Sequence, residues 1–139
     1  KFNFTANLSL ADVSYLPFTD TTFDWAISVA TYHHLESDLM RERALGELRR
    51  VLKPGGEAFI TVWNRQQPRF WFSQRDRDRP WQAKDKTLHR YYHLFTYDEL
   101  EKLVKKAGFE VVKSFPENAY RFPIKTFSRN ICLLVKKGN

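Results

Sequence analysis

The residues best able to do chemistry in this chain stand together. Residues 87–95 read TLHRYYHLF, so His89, Arg90, Tyr91, Tyr92 and His93 are consecutive. A guanidinium offers a planar fork of donors that fits a carboxylate or a phosphate. Tyrosine and histidine rings give flat surfaces on which an unstacked nucleobase can lie. Neither a helical stripe nor a strand alternation accounts for the run. His33 and His34 follow an apolar stretch, and Asp12 opens a loop after a partly alternating segment. Two histidines without further ligand candidates nearby in sequence make a poor metal site, so no metal is expected. Cys132 lies inside an apolar run and reads as a packed thiol.

Charge is distributed as unevenly as the aromatics. The net charge of the 139 residues is +7, yet residues 1–64 sum to −2. Residues 65–90 sum to +5, and residues 121–139 hold five cations and no acid. Segregated cations with interleaved Phe70, Trp71, Phe72 and Trp81 form the footprint of a polyanion binder or, equally, an ordinary basic surface. Arg65, Arg69, Arg75, Arg77, Arg79, Lys84 and Lys86 are the candidate phosphate contacts. Asp76 and Asp78 alternate with those arginines and could satisfy them locally instead. With 42% hydrophobic residues the chain can bury a core. It shows no secretory signal and no apolar run near the roughly 20 residues of a membrane span, so a cytoplasmic location is expected.

The elements that must position these groups read as an α/β domain. FDWAISVA (Phe23 to Ala30) suits a strand buried on both faces. Met40, Ala44, Leu45, Leu48, Val51 and Leu52 recur at helical spacing, and Pro54-Gly55-Gly56 should stop that helix. EAFITVW (Glu57 to Trp63) reads as the next strand, completing a βαβ unit with parallel neighbours. Residues 64–90 interrupt the rhythm as a long basic insert. Thr96-x-x-Glu99 has the form of a capping box, Leu100, Leu103, Val104 and Ala107 follow as a helical face, and Gly108 ends it. FEVVKSF and NICLLVKK read as two final strands, and Phe2, Phe4, Leu8 and Leu10 as an initial one.

The Asp-x-x-x-Leu-Pro-Phe loop, the Phe-Asp strand and the Leu-Lys-Pro-Gly-Gly turn occur here in an order that resembles the second half of a class I S-adenosylmethionine-dependent methyltransferase. The resemblance implies a Rossmann-like α/β fold, here its C-terminal part, with a mostly parallel sheet ending in an antiparallel strand. Residues 1–139 would be a single methyltransferase domain lacking its N-terminal portion, since no Gly-x-Gly cofactor loop is present. The methyl donor S-adenosylmethionine is the implied cofactor. Asp12, Val13, Ala30, Thr31 and His33 are its implied contacts, Asp12 accepting from the adenine amine and the backbone N–H after it meeting the ring.

His33-His34, VWNRQQ, the Arg-rich insert, HRYYHLF and an Asn in the last strand resemble a narrower group. These are the tRNA wobble-uridine methyltransferases that esterify 5-carboxymethyluridine. At Asn130-Ile131 the chain departs from the Asn-Trp common in that group. The resemblance implies Arg90, His34 and His93 as catalytic residues. Arg90, Tyr91, Tyr92, His93, Arg129 and Asn130 would contact the substrate. It also implies two partners: a tRNA anticodon arm, and a small zinc-binding activator subunit on the N-terminal edge strand. Two alternatives stay open: a methyltransferase of the same fold acting on a lipid-like or quinone acceptor, and a non-catalytic RNA-binding module.

Overall fold

A computed structural model describes residues 6–83, 86–117 and 125–138. The elements are β1 (Phe23–Val29), α1 (Asp38–Val51), β2 (Leu52–Trp63), β3 (Asp76–Ala83), β4 (Lys86–His93), α2 (Tyr97–Lys106), β5 (Phe109–Pro116) and β6 (Asn130–Lys137). Single 3-10 turns lie at Tyr32–His34, Pro68–Phe70 and Lys125–Phe127.

Four strands form one sheet in the order β1-β2-β6-β5. β1 and β2 are parallel, and β6 runs antiparallel to both β2 and β5. Three strands therefore share a direction while the last in sequence is reversed and lies inside the sheet. Apolar alternation explains the core: Ala58, Ile60 and Val62 of β2 meet Ile131, Leu133 and Val135 of β6, all fully buried. α1 presents Ala44, Leu45 and Leu48 to this layer, and α2 presents Leu100 and Val104. Among the described residues no helix is long and apolar enough to cross a membrane.

Both helices start where the sequence marks them. Ser37 caps α1 by accepting from the Met40 N–H, and Thr96 and Glu99 close a reciprocal capping box on α2. Gly108 follows α2 at φ 87°, where a Cβ would meet the Arg49 side chain at 2.8 Å.

Four expectations need correction. The helix ends at Val51, before the glycine pair, and β2 already begins at Leu52. Phe23 pairs with Leu52 and Trp25 with Glu57, so the intervening Lys-Pro-Gly-Gly arches out as a bulge, with Gly55 at φ 74°. β1 is not buried on both faces: Trp25, Ile27 and Val29 are 56%, 71% and 63% exposed, because β1 is the edge strand of the described sheet. No strand runs through Leu8 and Leu10, which are fully exposed with no strand paired beside them among the described residues. Phe2 and Phe4, the rest of that expected strand, lie outside the described residues. Finally, the run at 87–95 is largely strand, since β4 pairs antiparallel with β3 in a hairpin separate from the main sheet.

Candidate functional site

The site forms where β1 and β2 end and the hairpin folds back over them. β1 ends at Val29, and the next residue, Ala30, has a φ of 56°, left-handed for a residue with a Cβ. That conformation costs about 1–2 kcal/mol and is held by the Ala30 N–H donating to the Thr61 carbonyl at 3.0 Å and its Oγ1 at 3.1 Å. The reversal throws the next residues into the 3-10 turn and delivers His33 and His34 beneath the hairpin. β2 ends at Trp63. Beyond it the buried Asn64 donates to the carbonyls of Thr126 and Ser128, tying the tail to the strand end.

The two histidines are set in opposite tautomers. The Trp63 N–H donates to His33 Nδ1 at 3.4 Å, which leaves the proton on Nε2. Burial, and then the charges of His34, Arg90 and His93, push the His33 pKa down to about 3, so the ring is neutral. His34 instead donates from Nδ1 to the Tyr91 carbonyl at 2.9 Å, which leaves a lone pair on Nε2.

Tyr92 joins these groups into one layer. Its ring stacks on Trp63 at 4.6 Å and 16° and lies parallel to His33 at 5.7 Å, with His34 edge-on at 4.6 Å. Trp63 also stacks on Phe70, and the Arg69 guanidinium lies 5.0 Å from Trp63 and 4.4 Å from Phe70. Arg77 covers Phe70 at 5.5 Å. Such a layer of rings and guanidinium planes suits a flat ligand.

The hairpin register sorts the remaining charges. Asp76 pairs with His93, Arg77 with Tyr92, Asp78 with Tyr91 and Arg79 with Arg90. Successive residues of a strand point to opposite faces, so Arg77, Arg79, Arg90 and Tyr92 share one face and Asp76, Asp78, His89, Tyr91 and His93 the other. Contacts agree. Asp78 holds His89 at 2.8 Å, and Asp76 accepts from Tyr91 at 2.5 Å and from His93 at 2.7 Å. The aspartates therefore do not satisfy the hairpin arginines next to them.

His93 is buried, with Nδ1 against Asp76 and Nε2 against Glu99 at 2.8 Å. Glu99 in turn holds Arg75. Burial lowers the His93 pKa, the bond to Asp76 raises it, and Arg41 and Arg75 lower it again. These effects conflict. On balance the His93 pKa is lowered, with burial the largest cause. Against that direction, the two carboxylate contacts favour a proton on each ring nitrogen, because a lone pair 2.8 Å from a carboxylate oxygen would be repelled. Against the burial that would raise it, the bonds from Tyr91 and His93 hold the Asp76 carboxyl below its ordinary range.

Of the residues singled out in the sequence, His33, His34 and Tyr92 come together, and Arg90 is close enough for its charge to act on His33. Tyr91 turns its hydroxyl away from this layer toward Asp76. His93 sits on that far face with both ring nitrogens engaged. Asn130 pairs across the sheet with Trp63 and donates to Glu117 at 2.6 Å, while the exposed Arg129 offers its carbonyl to the Asn64 N–H. Trp63, Phe70, Asp76 and Glu99 had not been singled out for the site. For Trp63 the available signal was a large ring placed last in a strand, immediately before a polar loop.

Asp12 and Val13 lie in a separate loop. Asp12 Oδ1 accepts from the Ser14 N–H at 2.7 Å, leaving the exposed carboxylate its second oxygen. The loop is bound to α1: the Leu16 N–H donates to Glu47, and Arg50 donates to the carbonyls of Leu16 and Phe18. A mostly apolar cavity of about 320 Å³ opens beside it, lined by Val13, Trp25, Ser28, Thr31, Tyr32 and Leu48. The Ser28 hydroxyl is buried there without a hydrogen-bond partner among the described residues. An apolar cleft at a strand end with an unused polar atom fits part of a nucleoside ligand. A larger opening, about 500 Å³, lies between α1 and α2, but its charged lining pairs internally through Lys106–Glu42 and Arg75–Glu99.

This strand order, with a reversed last strand and a ligand cleft at the carboxyl ends, is the class I S-adenosylmethionine-dependent methyltransferase fold. An S-adenosylmethionine-dependent methyltransferase from Methanosarcina mazei superposes with a TM-score of 0.73 over 94% of this chain and 66% of that one, at 19% identity. Residues 2–60 match the family described as the methyltransferase domain. The tRNA (carboxymethyluridine(34)-5-O)-methyltransferase of Schizosaccharomyces pombe is 32% identical over 130 residues, 75% of this chain and 57% of that protein. The Arabidopsis thaliana protein of the same name is 47% identical over 58 residues, 42% of this chain and 14% of that protein. The chain spans 57% of the length of the S. pombe relative and far less of the A. thaliana one.

Proposed function

We propose that this chain carries the acceptor side of an S-adenosylmethionine-dependent tRNA methyltransferase that converts the carboxylate of wobble 5-carboxymethyluridine to its methyl ester. The observation that carries this reading is the Tyr92 layer. A tyrosine stacked on Trp63, with His33 and His34 beside it and Arg90 next but one along the strand, combines a seat for a flat base with a cation for its acid. The names borne by the S. pombe and A. thaliana relatives support the same substrate.

Bound S-adenosylmethionine would supply an electrophilic methyl group, and Asp12, Val13, Ala30, Thr31 and His33 are the residues that would hold it. A carboxylate has a reference pKa near 4 and is ionised at neutral pH, so it needs no general base. The work of the chain is alignment. Arg90 orients the carboxylate, and His34, whose ring proton is engaged by the Tyr91 carbonyl, packs beside the base. His93 we assign to positioning, since it fixes the strand that bears Tyr92 and Arg90. Arg129 and Asn130 frame the Trp63 end. A base in the anticodon loop is already single-stranded and can be splayed out at low cost. The partners follow as part of the proposal: the anticodon arm lies over the hairpin, and an activator subunit pairs near the N-terminal segment.

The test is donor-dependent methyl transfer by the full-length protein, with and without activator, to tRNA carrying 5-carboxymethyluridine and to the same tRNA without it. Ester should form only on the first. Arg90→Ala should lower kcat/KM by about 10- to 100-fold, the worth of one charge-assisted hydrogen bond. Equal activity on both tRNAs overturns the ester assignment.

A further inference from the structure

A second aromatic surface adjoins the Tyr92 layer at Phe70. That buried ring stacks on Trp63 at 6.1 Å, and it also lines a separate opening of about 370 Å³ with Arg65, Gln66, Trp71, Thr96 and Phe127. Trp71 is 59% exposed, yet its Nε1–H donates to the Gln66 carbonyl at 2.9 Å and its ring meets that of Phe127 at 5.8 Å and 61°. The turn beneath it is pinned as well, because the buried Gln67 amide donates to the carbonyls of Asn64 and Arg129. A ring held this way keeps π surface for a ligand but has no donor left to offer. Arg65 is the one charged residue lining the opening, and its exposed guanidinium has no partner among the described residues. The acids of α2, Asp98 and Glu99, line adjoining openings instead. Arg69 and Arg129 are exposed at the same turn, so the charge around the rings is positive.

We propose that Trp71 and Phe127 form a second stacking platform, which holds one loop base of the bound RNA other than the base seated on Tyr92, with Arg65 on that nucleotide's phosphate. Every base has a flat face, so a ring without a free donor accepts any of the four and reads none. A cation beside the ring answers the phosphate that each base carries, again without regard to sequence. Sharing Phe70 fixes the spacing of the two platforms. A loop strand laid across both is held open at two points, so the base on Tyr92 is presented whatever its neighbour is. This inference rests on the reading that the Tyr92 layer receives an RNA nucleotide.

The experiment uses the full-length protein and an anticodon stem-loop RNA with plain uridine at the wobble position, its loop bases removed one at a time as abasic sites. Affinity is measured for the wild type, Trp71→Ala and Trp71→Leu. One abasic site outside the wobble position should weaken wild-type binding by about 5- to 150-fold, the range of one base–aromatic stack. The same site should cost nothing further in Trp71→Ala, because ring and base belong to one contact. Trp71→Leu keeps apolar bulk without a flat face and should behave as Trp71→Ala does; it replaces the alanine variant if circular dichroism shows that one unfolded. Arg65→Ala should lower the slope of log affinity against log salt by about 0.7, the share of one phosphate on a single strand. Wild-type affinity in Trp71→Leu, or abasic losses that simply add to that of Trp71→Ala, overturns the platform and leaves the surface to an apolar protein segment. Coupling of Trp71 to the wobble base alone overturns it too, by placing that ring in the first seat. Ester formation on the carboxymethylated tRNA without coupling at a second base sinks the platform and spares the site reading. Coupling without ester formation does the reverse.

Discussion

The four-stranded sheet and the β3–β4 hairpin are both built from paired strands, yet they are held by different forces. In the sheet, fully buried Ile60, Val62, Leu133 and Val135 meet across β2 and β6. In the hairpin, the described residues of β3 and the first half of β4 are mostly exposed, and the junction with the body runs through His93, Asp76, Glu99 and the Tyr92 stack. The sheet is a scaffold that water cannot weaken easily. The hairpin is polar equipment attached to it, with low intrinsic stability and strong dependence on its contacts.

The contrast is most forcibly tested in the core. Leu133→Ala should lower stability by about 2–5 kcal/mol in denaturant unfolding. Leu88→Ala, on a hairpin residue 48% exposed, should shift it by no more than about 0.5 kcal/mol. Comparable losses would mean that the hairpin shares the core.

Acid provides the next handle. His33 is neutral when folded, with its pKa near 3, whereas the unfolded chain takes up the proton near 6.5. Between those values the unfolded state binds more protons, so stability is fully present above about pH 6.5 and falls as pH drops. The slope approaches about 1.4 kcal/mol per pH unit. Unfolding measured at pH 7 and pH 5 should reveal this loss, and His33→Gln should flatten it.

Asp76→Asn should cost about 1–3 kcal/mol, because it leaves buried His93 short of one charged partner. Hydrogen exchange should quicken in β3 and β4 while β2 and β6 stay protected; uniform quickening would argue that the two regions unfold as one. Smallest of all, Asp24→Ala removes a surface pair with Lys53 and should change stability by less than about 1 kcal/mol in the same unfolding assay.

The same difference in forces decides what could be read in advance. α2 was legible because Thr96, Glu99 and the 3-4 spacing of Leu100, Leu103 and Val104 all belong to one local code. β6 was legible from its apolar run. The hairpin was not. Its period of two is written in charge sign and ring type, Asp76-Arg77-Asp78-Arg79 against Arg90-Tyr91-Tyr92-His93, and a hydropathy pattern does not register it. The open face of β1 was missed for another reason: burial depends on neighbours, and Trp25, Ile27 and Val29 look like core until the strand proves to be an edge. At the site, Arg90, Tyr92 and the histidine pair stood out by residue type. The partners of His93, one of them six residues away and the other seventeen, did not.

A strand that keeps cations on one side and acids on the other is sensitive to reading frame in a way that helices are not. Deleting one codon within β4 would turn Arg90 and Tyr92 toward α2 and swing Tyr91 and His93 over the rings, with every residue type still present. Deleting two would restore the orientation and merely shorten the ribbon. Length variation here should therefore come in even steps.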